Sequence, residues 1–237
     1  MKRKWISTLA VVILVVLISP TVSTQAAPGV VPVCNWIGGA TGAWTTGTNW
    51  SGCAGTGGVP ANTDSVSLGN GSAITITDVP TTTIARLSVS NNTTVNLQAS
   101  AVAASSTSAK PAAAIPGKTL TISINLSVAS GSALNMNGTV PLVIFLGAGA
   151  TGSISGNMTC SVAASQLNAN DASAITFNSG AVFTQATGCT GNVFTGAGTA
   201  NVIVFASGST FVFQIGSNPF GLRRSQRINN PTVAVVR

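Results

Sequence analysis

Short runs of this chain alternate apolar and polar residues without a break: 73–77, 85–90, 94–98, 119–123 and 133–137. Successive side chains of a strand point to opposite faces, so strict alternation marks strands with one face buried. The runs are rich in Thr, Val and Ile, which suit a pleated surface. Turn-forming clusters separate them, among them Ser90-Asn91-Asn92, Ser130-Gly131-Ser132 and Asn137-Gly138. No segment after the first thirty residues has a helical period. The nearest, an Ala/Ser stretch over 99–114 followed by Pro116, lacks an apolar stripe and reads as part of an inserted loop over 99–117. A mean hydropathy of +0.48 argues against a disordered linker of the same residue types. The expected class is all-β.

The runs recur. Phe177-Asn-Ser-Gly-Ala-Val-Phe183 realigns on Phe205-Ala-Ser-Gly-Ser-Thr-Phe211 at an offset of 28 residues. Gln185 then aligns with Gln214, and 192–194 with 218–220, with small insertions and deletions. A looser pair is Leu87-Ser-Val89 with 95–97 against Leu126-Ser-Val128 with 133–136. Self-similarity at such a period is the mark of a stacked-coil architecture, in which one coil cannot bury its inner face alone. The reading is a right-handed parallel β-helix, with a β-sandwich as the rival all-β arrangement. Inward positions are expected at Ile74, Ile76, Leu87, Val89, Val95, Leu97, Leu120, Ile122, Leu134, Met136, Phe177, Phe183, Phe205 and Phe211.

Charge removes most chemistry. The formal net charge is +7, yet only 5% of residues are charged and there is no His. Without His there is no imidazole base and no Ser-His-Asp triad. Lys2, Arg3 and Lys4 lie in the leader, and Arg223, Arg224, Arg227 and Arg237 in the last residues. Between them Arg86, Lys110 and Lys118 balance Asp64, Asp78 and Asp171. A neutral body has no electrostatic footprint for nucleic acid. No residue set points to a cofactor or a metal, and no enzymatic activity is expected.

The leader has a basic start, an apolar stretch from Trp5 to Ile18, and small residues before a cleavage point after Ala26. That is the pattern of a secretory signal peptide over 1–26. It implies a secreted or outer-surface location with no spanning segment after cleavage. Cys34, Cys53, Cys160 and Cys189 suit an oxidising compartment. Four cysteines allow three connectivities. The local pairs Cys34–Cys53 and Cys160–Cys189 are favoured, since each lies within one apparent unit.

Residues 27–68 form a Trp- and Gly-rich block, expected to be a disulfide-stapled cap. It carries Cys34-Asn-Trp36-Ile-Gly-Gly39, Trp44, Asn49-Trp50, Gly58-Val-Pro60 and Asp64-Ser-Val66. This block resembles the W-x-G-G…W…N-W…G-x-P…D-x-V segment before the β-helical stalks of secreted bacterial surface proteins. Coils are expected over 69–221. Their last repeat, Phe205–Phe211 with Gly216-Ser-Asn-Pro-Phe-Gly221, is similar to the F-x-S-G-S-x-Y…G-x-N-P-F-G repeats of large secreted Bacteroidetes β-solenoid proteins. Phe211 replaces the usual Tyr. Members of that group are much longer and end in a sorting domain of sandwich type. Here residues 222–237 form a basic tail or the start of a further coil, as in a truncated or frame-disrupted member.

The resemblance implies a non-enzymatic stalk or adhesin whose partners are surface glycans or matrix proteins. Two alternatives compete with it. Trp36, Trp44 and Trp50 are candidates for an aromatic platform stacking on sugar rings, against a structural role in the cap. Asp64 with Asp78, or Arg86 or Lys118 as a base, would serve a polysaccharide-active β-helix, but the catalytic set is incomplete.

Overall fold

The computed structural model describes residues 31–100, 117–194, 201–214 and 232–235. The leader, most of the inserted loop and the basic residues of the tail lie outside these. The structure is all-β, and its strands pair almost entirely in parallel. The first strands are β1 (Val33–Trp36), β2 (Thr41–Ala43), β3 (Trp50–Ser51) and β4 (Ser65–Leu68). Then come β5 (Ala73–Val79), β6 (Thr82–Val89), β7 (Thr94–Ala99), β8 (Lys118–Val128) and β9 (Ala133–Met136). They are followed by β10 (Leu142–Leu146), β11 (Thr151–Ile154), β12 (Asn157–Cys160), β13 (Gln166–Ala169) and β14 (Ile175–Phe177). The last are β15 (Val182–Gln185), β16 (Ile203–Phe205), β17 (Thr210–Phe213) and β18 (Thr232–Val235).

One sheet runs β3-β1-β4-β6-β8-β11-β14-β16, and the other β2-β5-β7-β9-β12-β15-β17-β18. Strands inside each order therefore pair with one neighbour from earlier in the chain and one from later, apart from the β1–β3 pair at the start. Only β1 and β3 pair antiparallel among the described residues. A third ladder branches from the first sheet, because β6 and β8 each turn a corner within one strand. The first half of β8 pairs with β10, and its second half with β11. The register of β6 on β8 shifts between Ile84 and Arg86, at that corner. A sandwich would require antiparallel neighbours; the ladders instead belong to chain wound in successive turns.

Register and burial follow the alternation. Every inward position expected above is buried. In the second sheet, one inward column reads Ile74, Val95, Leu134, Met158, Phe183, Phe211 from coil to coil. Burying each such side chain contributes about 1.5–3 kcal/mol. The 28-residue match is one coil step, since Phe177 pairs with Phe205 and Phe183 with Phe211. Leu87-Ser-Val89 likewise pairs with Leu126-Ser-Val128. The expected alignment of Gln185 with Gln214 is corrected: Gln185 lies opposite Phe213. Its side chain points inward and its Nε2 donates to the carbonyls of Cys189 and Gly191 at 2.8 and 3.2 Å. Gln185 therefore fastens a corner.

Both disulfides join the local pairs, Cys34 to Cys53 and Cys160 to Cys189. The second ties β12 to the turn after β15, one coil further on. A closed loop of this size stabilises by roughly 3–4 kcal/mol in the chain-entropy account. Ala99 ends β7, so the inserted loop begins one or two residues later than the sequence suggests. Residues 232–235 are a strand on β17 and so add a further rung. No helix among the described residues is long and apolar enough to cross a membrane.

Candidate functional site

The Trp/Gly block is one hydrogen-bonded module. β1 carries Trp36, and β3, beside it, carries Trp50. Their rings meet edge-on with centroids 4.9 Å apart, and Trp44 meets Trp50 at 5.1 Å. The Trp50 indole N–H donates to the Trp44 carbonyl at 2.8 Å, and that of Trp36 to the Gly39 carbonyl at 2.9 Å. The two glycines of W-x-G-G have separate reasons. A Cβ on Gly38 would sit 2.6 Å from the Trp36 ring and 2.8 Å from the Asn49 side chain. Gly39 has φ +69°, which only glycine adopts cheaply. Asn49 accepts the Ile37 N–H on its backbone carbonyl and donates from Nδ2 to the Ala43 carbonyl.

The D-x-V end of the motif is a clamp. Asp64 is fully buried. Its carboxylate accepts the Ala54 N–H on both oxygens, at 3.1 and 3.0 Å, and the Ala61 N–H at 2.7 Å. These bonds hold the loop that follows Cys53 against the start of β4. Asp64→Ala would leave the Ala54 and Ala61 amides unpaired, so a loss of about 1–3 kcal/mol is expected. Urea denaturation of the oxidised protein measures it, and Asp64→Asn should recover part of the loss.

Trp36, Trp44 and Trp50 are 6%, 1% and 4% exposed. A sugar platform needs an open ring face, and none of the three offers one. The module's motif residues thus spend their side chains on one another. Asp64 and Asp78 do not form a working pair either: Asp64 is buried, whereas Asp78 is exposed in β5 with φ +54°. Arg86 is exposed on the outer face of β6.

What faces outward is regular. In the first sheet Ser67, Ser88, Ser127, Ser153 and Thr176 fill one outward column on successive strands. In the second, Thr75, Asn96, Asn135, Thr159 and Thr184 do so. Neighbouring coils sit about 4.8 Å apart in such ladders, so these groups reach one another. Asn135 and Asn137 both donate from Nδ2 to Asn96 Oδ1 at 3.0 Å. Asn178 donates to the hydroxyls of Ser153 and Ser155 at 3.0 and 2.9 Å. Neither column carries a charge.

No family model, curated protein or solved structure matches this chain. The outward columns are therefore judged on their own geometry. The sequence repeat already sets Ser88 level with Ser127, and the structure adds Ser67, Ser153 and Thr176 to the same column. Val66-Ser67-Leu68, Leu87-Ser88-Val89 and Leu126-Ser127-Val128 repeat one apolar–Ser–apolar unit. At the corner before β14, Asp171 accepts the Gly149 N–H at 2.6 Å and an Asn170 Nδ2 N–H at 2.9 Å. Both bonds, that from Gly149 foremost, hold its carboxyl below the ordinary aspartate value. A depressed carboxyl stabilises above the unfolded value and loses that support as pH falls through the folded one. The Gly149 amide resonance is expected to titrate with Asp171 in that acid range, and Asp171→Asn to abolish the titration.

Proposed function

We propose that this chain is a secreted or surface-displayed, non-enzymatic β-solenoid that works as a stalk or adhesin. The observation that carries this reading is the pairing of an apolar inward column with an uncharged Ser/Thr/Asn outward column, repeated rung after rung. Such a surface offers many equivalent hydrogen-bonding positions and no single reactive centre. A right-handed winding accords with the handedness of parallel crossover connections. The Trp module acts as the cap: it adds a short antiparallel strand at the end of one sheet and encloses its own aromatic rings. Two disulfides support an oxidising, extracellular setting. The resemblance of the Trp module and the F-x-S-G-S repeat to Bacteroidetes surface proteins supports the same location.

The test is export followed by binding. Expressed with its leader in a bacterial host, the protein is expected outside the cytoplasm with Ala27 as its first residue, read by intact-mass spectrometry. On arrays of surface glycans and matrix proteins, binding should be insensitive to ionic strength, since the outward columns are uncharged. Retention of the leader in the cytoplasm would overturn the location. Release of unsaturated sugars from an acidic polysaccharide would overturn the non-enzymatic reading.

A further inference from the structure

Asp64, the clamp of the Trp/Gly module, has a second set of neighbours. One of its carboxylate oxygens and the sulfurs of Cys34 and Cys53 all lie within 4.8 Å of one another. Cys34 and Asp64 are fully buried, whereas Cys53 is partly exposed. The carboxylate is held by the backbone N–H groups of Ala54 and Ala61, whose dipoles do not cancel its charge. Arg86, opposite Ser65 in the ladder, is exposed on the outer face of β6. The second bridge is built differently. Both Cys160 and Cys189 are buried, and the Cys160 sulfur lies 3.6 Å from the Val162 carbonyl oxygen. No carboxylate joins that pair in a cluster of this kind among the described residues.

A disulfide opens when a thiolate attacks one sulfur in line with the bond and the other sulfur leaves. Burial closes Cys34 to attack, so a small thiol enters at Cys53. A new S–S bond then forms between the thiol and Cys53. The Cys34–Cys53 bond breaks, and its electron pair departs on the Cys34 sulfur. That anion arises beside the Asp64 carboxylate, where a like charge disfavours it until it takes a proton from water. A thiol that carries a further negative charge meets the same carboxylate on its way in.

We propose that Asp64 is a charge screen for the Cys34–Cys53 disulfide. Exchange with external thiols enters at Cys53 and is slowed most for thiols with a negatively charged tail. The clamp then favours reversal. Ala54 directly follows Cys53 and is bonded to Asp64, so the loop keeps its place after attack. The Cys34 thiolate, still facing Cys53, attacks the mixed disulfide there, expels the thiol and restores the original bond. One carboxylate thus holds the loop mechanically and guards its covalent staple electrostatically.

The test treats the oxidised, folded protein with excess cysteamine, β-mercaptoethanol or mercaptoethanesulfonate, whose tails are cationic, neutral and anionic. Each rate is corrected for the reagent's thiolate fraction and for its rate on the neutral hydroxyethyl disulfide. Alkylation and mass spectrometry read how fast the bond opens and which cysteine carries the first adduct. The first adduct is expected on Cys53, and cysteamine should outpace mercaptoethanesulfonate about threefold or more. Added salt should shrink that preference. Asp64→Asn should bring it to about one. That variant also loosens the loop, which raises all three rates together and leaves their ratio alone. Trp44→Phe, which loosens the same module without touching the charge, should keep the wild-type ratio. First adducts on Cys34, or failure of all three thiols to open the bond, would overturn the proposal. So would a wild type without the preference, or a preference that survives in Asp64→Asn.

Discussion

Trp44→Ala is expected to lower the unfolding free energy by about 3–5 kcal/mol, as for other fully buried aromatic rings. Trp44 is 1% exposed and lies against Trp50. Its carbonyl also receives the Trp50 indole N–H, so the ring and the backbone beneath it hold the same neighbour. Removing the indole opens a cavity and frees Trp50 to tilt. Urea denaturation followed by near-ultraviolet circular dichroism reads both effects, and Trp44→Phe should fall between wild type and alanine. The same variant separates the two roles a tryptophan cluster can have. A surface platform for sugars would lose binding on substitution while stability moved by no more than about 0.5 kcal/mol. An interior module loses stability first, and any loss of binding follows the loss of folded protein.

Much of the fold was legible because period-two alternation is a direct consequence of strand geometry. Ile74, Ile76, Val95 and Leu97 alternate in the sequence and fill inward columns in the structure. The Phe177-to-Phe205 step was legible because equivalent residues of stacked coils meet in register. The cysteine pairing was legible from locality alone. Other features were hidden for physical reasons. β6 and β8 each cross a corner and so serve two ladders, and the corner breaks the alternation: Ile84 and Ala85 are buried side by side in β6, and Ile124 is exposed in β8 although the sequence alternates through it. Gln185 and Gln214 look equivalent, but the ladder sets Phe213 opposite Gln185, and the glutamine amide turns to a local corner. Asp64 accepts the Ala61 N–H three residues back, a local bond of the kind aspartate makes in turns. Its bonds to Ala54, ten residues back, depend on a loop path that no local pattern encodes. For the tryptophans, their place beside a disulfide favours a buried cluster but leaves an exposed platform open. Only the satisfied indole N–H groups and the closed ring faces separate the two.

The aromatic end of the core sets up the second large effect. Upstream coils fill their inward columns with Ile, Val, Leu and Met, whereas the last coils use Phe. Phe183 sits within 4.7 to 5.9 Å, ring centre to ring centre, of Phe194, Phe177 and Phe211. Phe183→Ala is therefore expected to cost about 3–5 kcal/mol, because its cavity is walled by rings that cannot all move into it. Where that loss appears matters more than its size. In stacked coils stability is close to a sum of coil terms and nearest-neighbour interfaces, so damage should stay near its origin. The Cys160–Cys189 bridge spans this same step and keeps β12 tied to the turn beyond β15. Native-state hydrogen exchange should then show faster opening of the amides of Phe211 and Val212. Those of Val95 and Leu134, several rungs earlier in the same sheet, should keep their wild-type protection. Equal acceleration at all four amides would mean that the rungs unfold as one cooperative body and that nearest-neighbour accounting fails for this chain.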